Sequence, residues 1–369
     1  MRSVEDTRPC PGLSVPVVTT LSAGGDLDES DQRAVVRFVI QEGYGADVVF
    51  AAGTTGEWDR VSPEIQRAVV RISVEEVAKV NASLTSGRAV EAWAGVTAHS
   101  ATQTLQNLEA AILAGADAAV LAPLSIHELD DPVRFVARDV ADLLDAAPRR
   151  IPVYLYDNAD IAANPDIPHI RTRQVKAMSR LDFVRGIKVS ASLKVLGNYT
   201  RAADNFRERG EFGIYVGNAL LIFDLFRPRT GLLGAAANHW QKRKMRGALP
   251  VGVVAGPANA MPREWARAWQ VCRAGDVERM DSVRRVLDAF RAATRQAGGK
   301  RTIACLKRAL LLRGVIASDA VAEGTPALAR PDAERFDELF AEVQSLAEDL
   351  LVPTWVTPGR VSTQTEAGS

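Results

Sequence analysis

Eight short apolar runs, each followed by a longer segment, constrain the fold of this 369-residue chain more than any other feature. Leu13–Thr20, Ala46–Ala51, Arg88–Val96, Ala118–Ala122, Val153–Tyr156, Phe183–Lys188, Gly213–Val216 and Pro250–Ala255 read as strands buried on both faces. Between them Glu29–Glu42 (opened by Asp28 or Ser30), Pro63–Val80 (capped by Ser62), Thr102–Ala114, Pro132–Leu144, His169–Ser179 and Ala191–Arg207 have helical period. Strands alternating with helices predict a parallel sheet with crossover helices, and eight units predict a (β/α)8 TIM barrel. A doubly wound sheet is the competing arrangement on pattern alone.

After Pro262 the strand signal stops. Arg263–Ala274, Val277–Gln296, Thr302–Arg313 and Ala333–Leu350 all have helical period, which predicts a C-terminal helical domain. The expected division is an N-terminal arm (1–11), the barrel (12–261), the helical domain (262–351) and a flexible tail (352–369). The interval before the eighth strand holds a basic insertion, about 226–247, with Arg227, Arg229, Lys242, Arg243, Lys244 and Arg246. No acidic residue lies between Leu225 and Arg263. Such a stretch is either a solvated outer helix or a basic flap or oligomer contact.

Composition narrows the functional classes. Lys+Arg and Asp+Glu balance at 45 each, so no global field favours nucleic acid or a membrane surface. Cys10, Cys272 and Cys305 are too scattered for a disulfide framework or a metal site, which predicts a reducing cytoplasm. Met1–Pro11 lacks the apolar core of a signal peptide, and the uncharged stretch Phe212–Phe223 includes too few residues to span a bilayer.

The chemistry is concentrated at strand ends, where barrel enzymes place their catalytic groups. Lys188 closes the sixth apolar run and is followed by Ser190 and Ser192. Desolvation at the mouth of a buried strand disfavours a lysine's ammonium form. A lysine that loses its proton near neutral pH can attack a ketone and hold it as a Schiff base. Tyr156 closes the fifth run, one strand away, and is a candidate proton relay; packing with a satisfied hydroxyl is the commoner role of a barrel tyrosine. After the second run comes Gly53-Thr54-Thr55-Gly56-Glu57, in which two glycines let the Thr54 and Thr55 amides and hydroxyls converge on an anion. A carboxylate cradle, a phenol and a lysine together suit a 2-keto acid: held by its carboxylate, condensed at its ketone, with protons moved by the phenol.

With these residues in order, the chain resembles the dihydrodipicolinate synthase/N-acetylneuraminate lyase family of class I pyruvate aldolases. The similarity rests on Gly53 to Glu57, Tyr156, Gly186-Ile187-Lys188, the stretch Gly252–Pro262 and Ala304-Cys305-Leu306-Lys307, and extends over about residues 12–350. It implies Schiff-base chemistry at Lys188 with no metal or organic cofactor, and a homo-oligomer, commonly a tetramer or a dimer of dimers.

Departures from the family pattern bear on substrate. Where dihydrodipicolinate synthases carry an arginine for a second carboxylate, five residues after the site tyrosine, this chain has Ile161. Their second tyrosine, after the fourth strand, is absent from Ala122-Pro123-Leu124-Ser125, so a relay must be shorter or use Ser125 or His127. Asn158 resembles the Tyr-x-Asn of hydratase-aldolases, without the proline expected next. Gly217-Asn218 stands where lyases of polyhydroxylated acids often have an acid; Asn218 either bonds a substrate oxygen or caps the next helix. The expected activity is therefore an aldolase or dehydratase of a 2-keto acid, with lysine biosynthesis disfavoured. A hydratase-aldolase acting on an aryl- or alkyl-substituted keto acid is the enzymatic alternative. A barrel that binds a keto acid without catalysis is the alternative of another class.

Overall fold

In a computed structural model, which describes residues 8–85, 88–206, 210–228, 231, 234 and 249–350, the eight apolar runs are eight parallel strands. They are β1 (Gly12–Pro16), β2 (Val48–Ala51), β3 (Glu91–Gly95), β4 (Ala118–Leu121), β5 (Val153–Asn158), β6 (Val184–Ser190), β7 (Gly213–Val216) and β8 (Gly252–Val254). Each pairs with its neighbour in sequence, and β8 pairs back with β1, in a closed barrel. Closure rules out the doubly wound sheet. The greater part of the N-terminal arm and of the basic insertion, and the tail 352–369, lie outside the described residues. Arg227, at the edge of that insertion, is bound by Asp281 through two nitrogens at 2.6 and 2.9 Å.

Sequence chemistry at the helix ends sets the crossovers. Asp28 accepts the Asp31 amide and starts α1 (Glu29–Ile40). Ser62 accepts the Ile65 amide and Pro63 opens α2 (Pro63–Ser83). Ser100 starts α3 (Ala101–Ala114), which Gly115 ends at φ +94°. A side-chain oxygen at each N-cap satisfies an amide that the helix leaves without a partner. After β4 come α4 (Pro132–Phe135) and α5 (Ala141–Ala146), with a π turn, Val136–Val140, between them. Three more helices, α6 (Thr172–Met178), α7 (Leu193–Ala202) and α8 (Leu221–Phe226), follow β5, β6 and β7.

Several of the expected elements are longer than the observed ones, and two of them show how distant side chains take over at an element's end. The run Leu13–Thr20 ends as a strand at Pro16, where Val17 still donates to the Phe50 carbonyl of β2 but the amides beyond it leave the ladder. Val18 donates to Asn259 Oδ1 and Thr20 to Gln32 Oε1. The helix expected from His169 begins at Thr172, and the Ile170 amide ahead of it is taken by the Asp157 carboxylate.

The strands separate two apolar regions. Outward residues such as Leu13, Val49, Leu155 and Ile187 join the helices in one large core. Inward residues form a second cluster in which Trp93 stacks on Tyr154 at 4.1 Å and meets the edge of Tyr215 at 5.2 Å. Tyr215 donates to the Cys10 carbonyl. These rings fill the barrel axis below the level of Tyr156, so only the carboxyl-end mouth is left for a ligand.

From Pro262 onward the described elements are helical: α9 (Pro262–Ala274), α10 (Val277–Ala293), α11 (Thr302–Leu312) and α12 (Arg330–Leu350). Phe290, Phe336 and Phe340 hold α10 to α12 with ring centres 5.6 to 6.4 Å apart. No helix among the described residues is long and apolar enough to cross a membrane. Cys10, Cys272 and Cys305 are buried free thiols.

Candidate active site

Successive strand residues face opposite sides, so Tyr154 and Tyr156 of β5 point into the barrel while Val153 and Leu155 join the outer core. On β6, Lys188 lies directly across the ladder from Tyr156, with Tyr215 of β7 on its other side. Both site residues are buried, Lys188 at 6% exposure and Tyr156 at 5%. Lys188 Nζ sits 3.8 Å from the centre of the Tyr156 ring and 5.0 Å from that of Phe50. Aromatic faces carry negative potential, so they are suitable neighbours for a cation kept from water.

The Tyr156 hydroxyl is a point of convergence. It lies 3.2 Å from Thr54 Oγ1 and accepts from Asn158 Nδ2 at 3.1 Å, and Ser190 and Lys188 both favour its ionised form. Burial on its own would push this phenol up. The Lys188 charge and the side chains of Ser190 and Thr54 outweigh burial and hold it below tyrosine's usual value. Neither Ser125 nor His127 is among its partners. Ser125 is buried in the turn Pro123–Ser125, its Oγ without a hydrogen-bond partner among the described residues. His127 is exposed, its ring tilted against that of His99 at 4.7 Å, and His99 in turn lies 5.1 Å from Trp58.

Thr54 and Thr55 form a short 3-10 turn, Thr54–Gly56. The turn departs from the expected reason for its glycines. Gly53 is extended (φ −86°, ψ −171°), and it is Glu57 that takes the left-handed conformation, at φ +57°. Gly53 is required for space instead, since a Cβ there would stand 2.8 Å from the Phe50 ring. Thr19 Oγ1 donates to the Gly56 carbonyl and fixes the turn from below. Thr55 reaches across to the turn after β8, where a Cβ on Gly256 would lie 3.1 Å from Thr55 Oγ1.

Sequence reasoning missed what holds this turn. Glu57 is fully buried; its Oε1 accepts the Ala322 amide at 2.8 Å and its Oε2 lies 2.6 Å from Lys307 Nζ. Lys307 is equally buried and donates to the Ala320 carbonyl at 2.7 Å. Burial pushes the Lys307 ammonium down, while Glu57 acts in the opposite direction. Both residues belong to segments that carry the family resemblance, but they stand 250 positions apart, so only the folded chain pairs them.

Asn158, Ser190, Gly217 and Asn218 line one pocket of about 530 Å3 above strands β5 to β7, with Asp160, Ser192 and His169. The fit of β7 against β6 depends on Gly217, where a Cβ would stand 2.1 Å from Ser190 Oγ and 3.0 Å from its Cα. Asn218 does not cap the next helix with its side chain; the N-cap of α8 is Leu220, which has no side-chain cap. Ile161 packs against the inner barrel cluster. His169 was missed as a pocket residue because only its bond to Asp157, 2.9 Å between Nδ1 and Oδ2, draws it to the rim.

Comparison with known proteins agrees with this fold. Residues 9–125 match the model of the Dihydrodipicolinate synthetase family. An uncharacterized DapA-like lyase of Halobacterium salinarum is 30% identical over 181 residues, 49% of this chain and 53% of that protein. The chain thus spans about half the length of that relative. A 2-dehydro-3-deoxy-D-gluconate/2-dehydro-3-deoxy-phosphogluconate aldolase of Thermoproteus tenax is 29% identical over 290 residues, covering 78% of this chain and 77% of the aldolase. Among solved structures, the Ruminococcus gnavus sialic acid aldolase, as a catalytic lysine mutant, superposes with a TM-score of 0.73 at 17% identity, over 93% of this chain and 98% of that one. The dihydrodipicolinate synthase of Bacteroides thetaiotaomicron gives 0.72 at 19%, over 91% and 99%. At these identities the superpositions speak for the barrel and its helical extension.

Proposed function

We propose that this chain, a divergent relative of the dihydrodipicolinate synthase/N-acetylneuraminate lyase family, is a lyase that works through a Schiff base on Lys188. Its substrate is a 2-keto acid. The reading is carried by the direct pairing of Lys188 with Tyr156 on adjacent strands, with Thr54 on the Tyr156 hydroxyl. Thr54, Thr55 and Gly53 hold the carboxylate, Lys188 condenses with the ketone and releases water, and Tyr156 moves protons.

In the retro-aldol direction, the proton of the substrate hydroxyl passes to the ionised oxygen of Tyr156 as the carbon–carbon bond breaks. The bond's electron pair becomes the enamine of pyruvate, with the imine nitrogen as electron sink. In a dehydratase the same imine acidifies the adjacent carbon, and the electrons left by its proton expel a β-hydroxyl. Either reaction uses the same lysine. Ile161, apolar and packed on the barrel interior, supports a substrate without the second carboxylate of the lysine pathway. It also keeps the hydratase-aldolase reading in view.

Incubation with pyruvate followed by borohydride is expected to leave a covalent adduct on Lys188, read by intact mass and absent from Lys188→Ala. No adduct with any 2-keto acid tried would refute the lyase reading and leave the non-catalytic binding barrel. An adduct retained in Lys188→Ala would mean the nucleophile is another lysine, with Lys194 the nearest in sequence.

A further inference from the structure

The Asp157–His169 pair is used by nothing above, yet it borders the same pocket as Asn158, Ser190, Ser192 and Asn218. Asp157 follows Tyr156 in sequence but points the other way, and its side chain is 0% exposed against 28% for His169. Its carboxylate is fully engaged, Oδ1 by the Ile170 amide at 2.8 Å and Oδ2 by His169 Nδ1 at 2.9 Å. A carboxylate only accepts, so Nδ1 carries the hydrogen and Nε2 of the neutral ring is left as an acceptor. A histidine serving packing alone does not need a buried carboxylate to fix its tautomer.

The rest of the pocket has a consistent chemistry. Ser190 and Ser192 offer hydroxyls, Asn218 an amide, and Asp160 a carboxylate, while no lysine or arginine lines it. A phosphate or second carboxylate would find no cation there. A chain of neutral hydroxyls would find both donors and acceptors. We propose that His169, set by Asp157, is the specificity residue for the hydroxylated end of the substrate, accepting a hydrogen bond from a hydroxyl beyond the bond that is made or broken. This rests on the lyase reading in its aldol branch, and it names the substrate as a polyhydroxylated 2-keto acid with an uncharged far end. Asp157 touches no substrate and acts as a positioning residue.

Condensation of pyruvate with glyceraldehyde, compared with propanal, tests the assignment, because the two aldehydes differ only in their hydroxyls. The native protein is expected to prefer glyceraldehyde in kcat/KM by about 100-fold or more, above what an apolar pocket distinguishes and towards the roughly 10^4-fold by which a site built for a hydroxyl rejects its absence. His169→Phe, which keeps a ring but no acceptor, is expected to abolish that preference. Pyruvate methyl protons, which exchange without any aldehyde bound, should still exchange with deuterated water. His169→Gln, which restores an acceptor, should recover part of the preference. In Asp157→Asn the amide oxygen still serves Ile170 while the NH2 group donates to Nδ1. The hydrogen then moves to Nε2, and the glyceraldehyde preference should fall. Equal turnover of the two aldehydes by the native protein, condensation of neither, or equal loss of both in His169→Phe would overturn the proposal. Failure of the lyase reading is distinct, since the native protein would then form no pyruvate adduct under borohydride.

Discussion

Replacing Lys307 by methionine should destabilise the protein by an amount that depends on pH in a calculable way. Methionine nearly matches lysine in length and volume, so the cavity left behind is small. What remains is Glu57, fully buried, with the Ala322 amide on one oxygen and nothing in place of the ammonium 2.6 Å from the other. Removing one partner of a buried pair typically costs about 3–5 kcal/mol. The loss has a ceiling, because the stranded carboxyl can take up a proton. Protonating an ordinary glutamate at pH 7 costs about 3.7 kcal/mol, from a reference value near 4.3 and about 1.36 kcal/mol per unit. The variant should therefore lose roughly 4 kcal/mol at pH 7, out of a typical total of about 5–15.

In the acid direction the sign is fixed by proton uptake. The variant's native state holds a proton on Glu57 that its unfolded state releases between about pH 5 and 7, so its stability rises as pH falls. The gap to the native protein should close by about 1.4 kcal/mol per pH unit over that window. Urea unfolding at fixed protein concentration, followed by tryptophan fluorescence at several pH values, measures the gap. The double variant Glu57→Gln/Lys307→Met, with no charge left to strand, should regain most of it. A loss below about 1 kcal/mol at pH 7, or a gap that does not respond to acid, would refute the reasoning about this buried pair. Glu57 also ends the Thr54–Gly56 turn, so the single variant should raise KM for the keto acid more than it lowers kcat.

Two further outcomes follow from the site. In Lys188→Ala the charge that offsets burial of Tyr156 is gone, so its phenol should ionise at higher pH than in the native protein. Phenolate absorbance referenced to Tyr156→Phe reads this directly, and burial pushes Tyr154, Tyr199 and Tyr215 up, out of the way; a downward or null shift would contradict the assignment. Gly217→Ala should displace Ser190, whose Oγ lies 2.1 Å from the added Cβ, and lower turnover while the fold survives. Unchanged kcat in that variant would show that Ser190 has no part in holding the Tyr156 hydroxyl.

What could be read from the sequence follows the range of the forces involved. All eight strands were legible because a parallel strand covered on both faces is a largely apolar run, and polar Lys188 and Tyr156 stand out near its carboxyl end, although β5 and β6 each run two residues further. Strand ends were less legible where a distant side chain replaces the ladder. Val17 to Thr20 have strand composition, yet Asn259 and Gln32 satisfy the amides of Val18 and Thr20. The glycines of the Thr54 turn were placed correctly but for the wrong reason, since the left-handed residue is Glu57 and Gly53 makes room for Phe50. The Asp157–His169 pair had no local signature. Its members are 12 residues apart across a loop whose course the strand pattern does not specify. Of the relays expected, a shorter one or one through Ser125 or His127, the neighbours of the hydroxyl fit the shorter, since they come from β5, β6 and the loop after β2.

Asn259 has a consequence for how such a chain is made. Its side chain accepts from Val18, 241 positions earlier, and donates to the carbonyls of Pro16 and Gly256, so it seals the seam where β8 meets β1. During synthesis β1 leaves the ribosome long before its second neighbour exists. For most of translation one edge of that strand exposes unpaired amides and carbonyls, which invite pairing with another chain. The barrel becomes a closed object only when the codons around residue 259 have been read. Slowing translation just upstream of them should lengthen the life of the open sheet and raise aggregation of the nascent protein, with no change to the stability of the finished one.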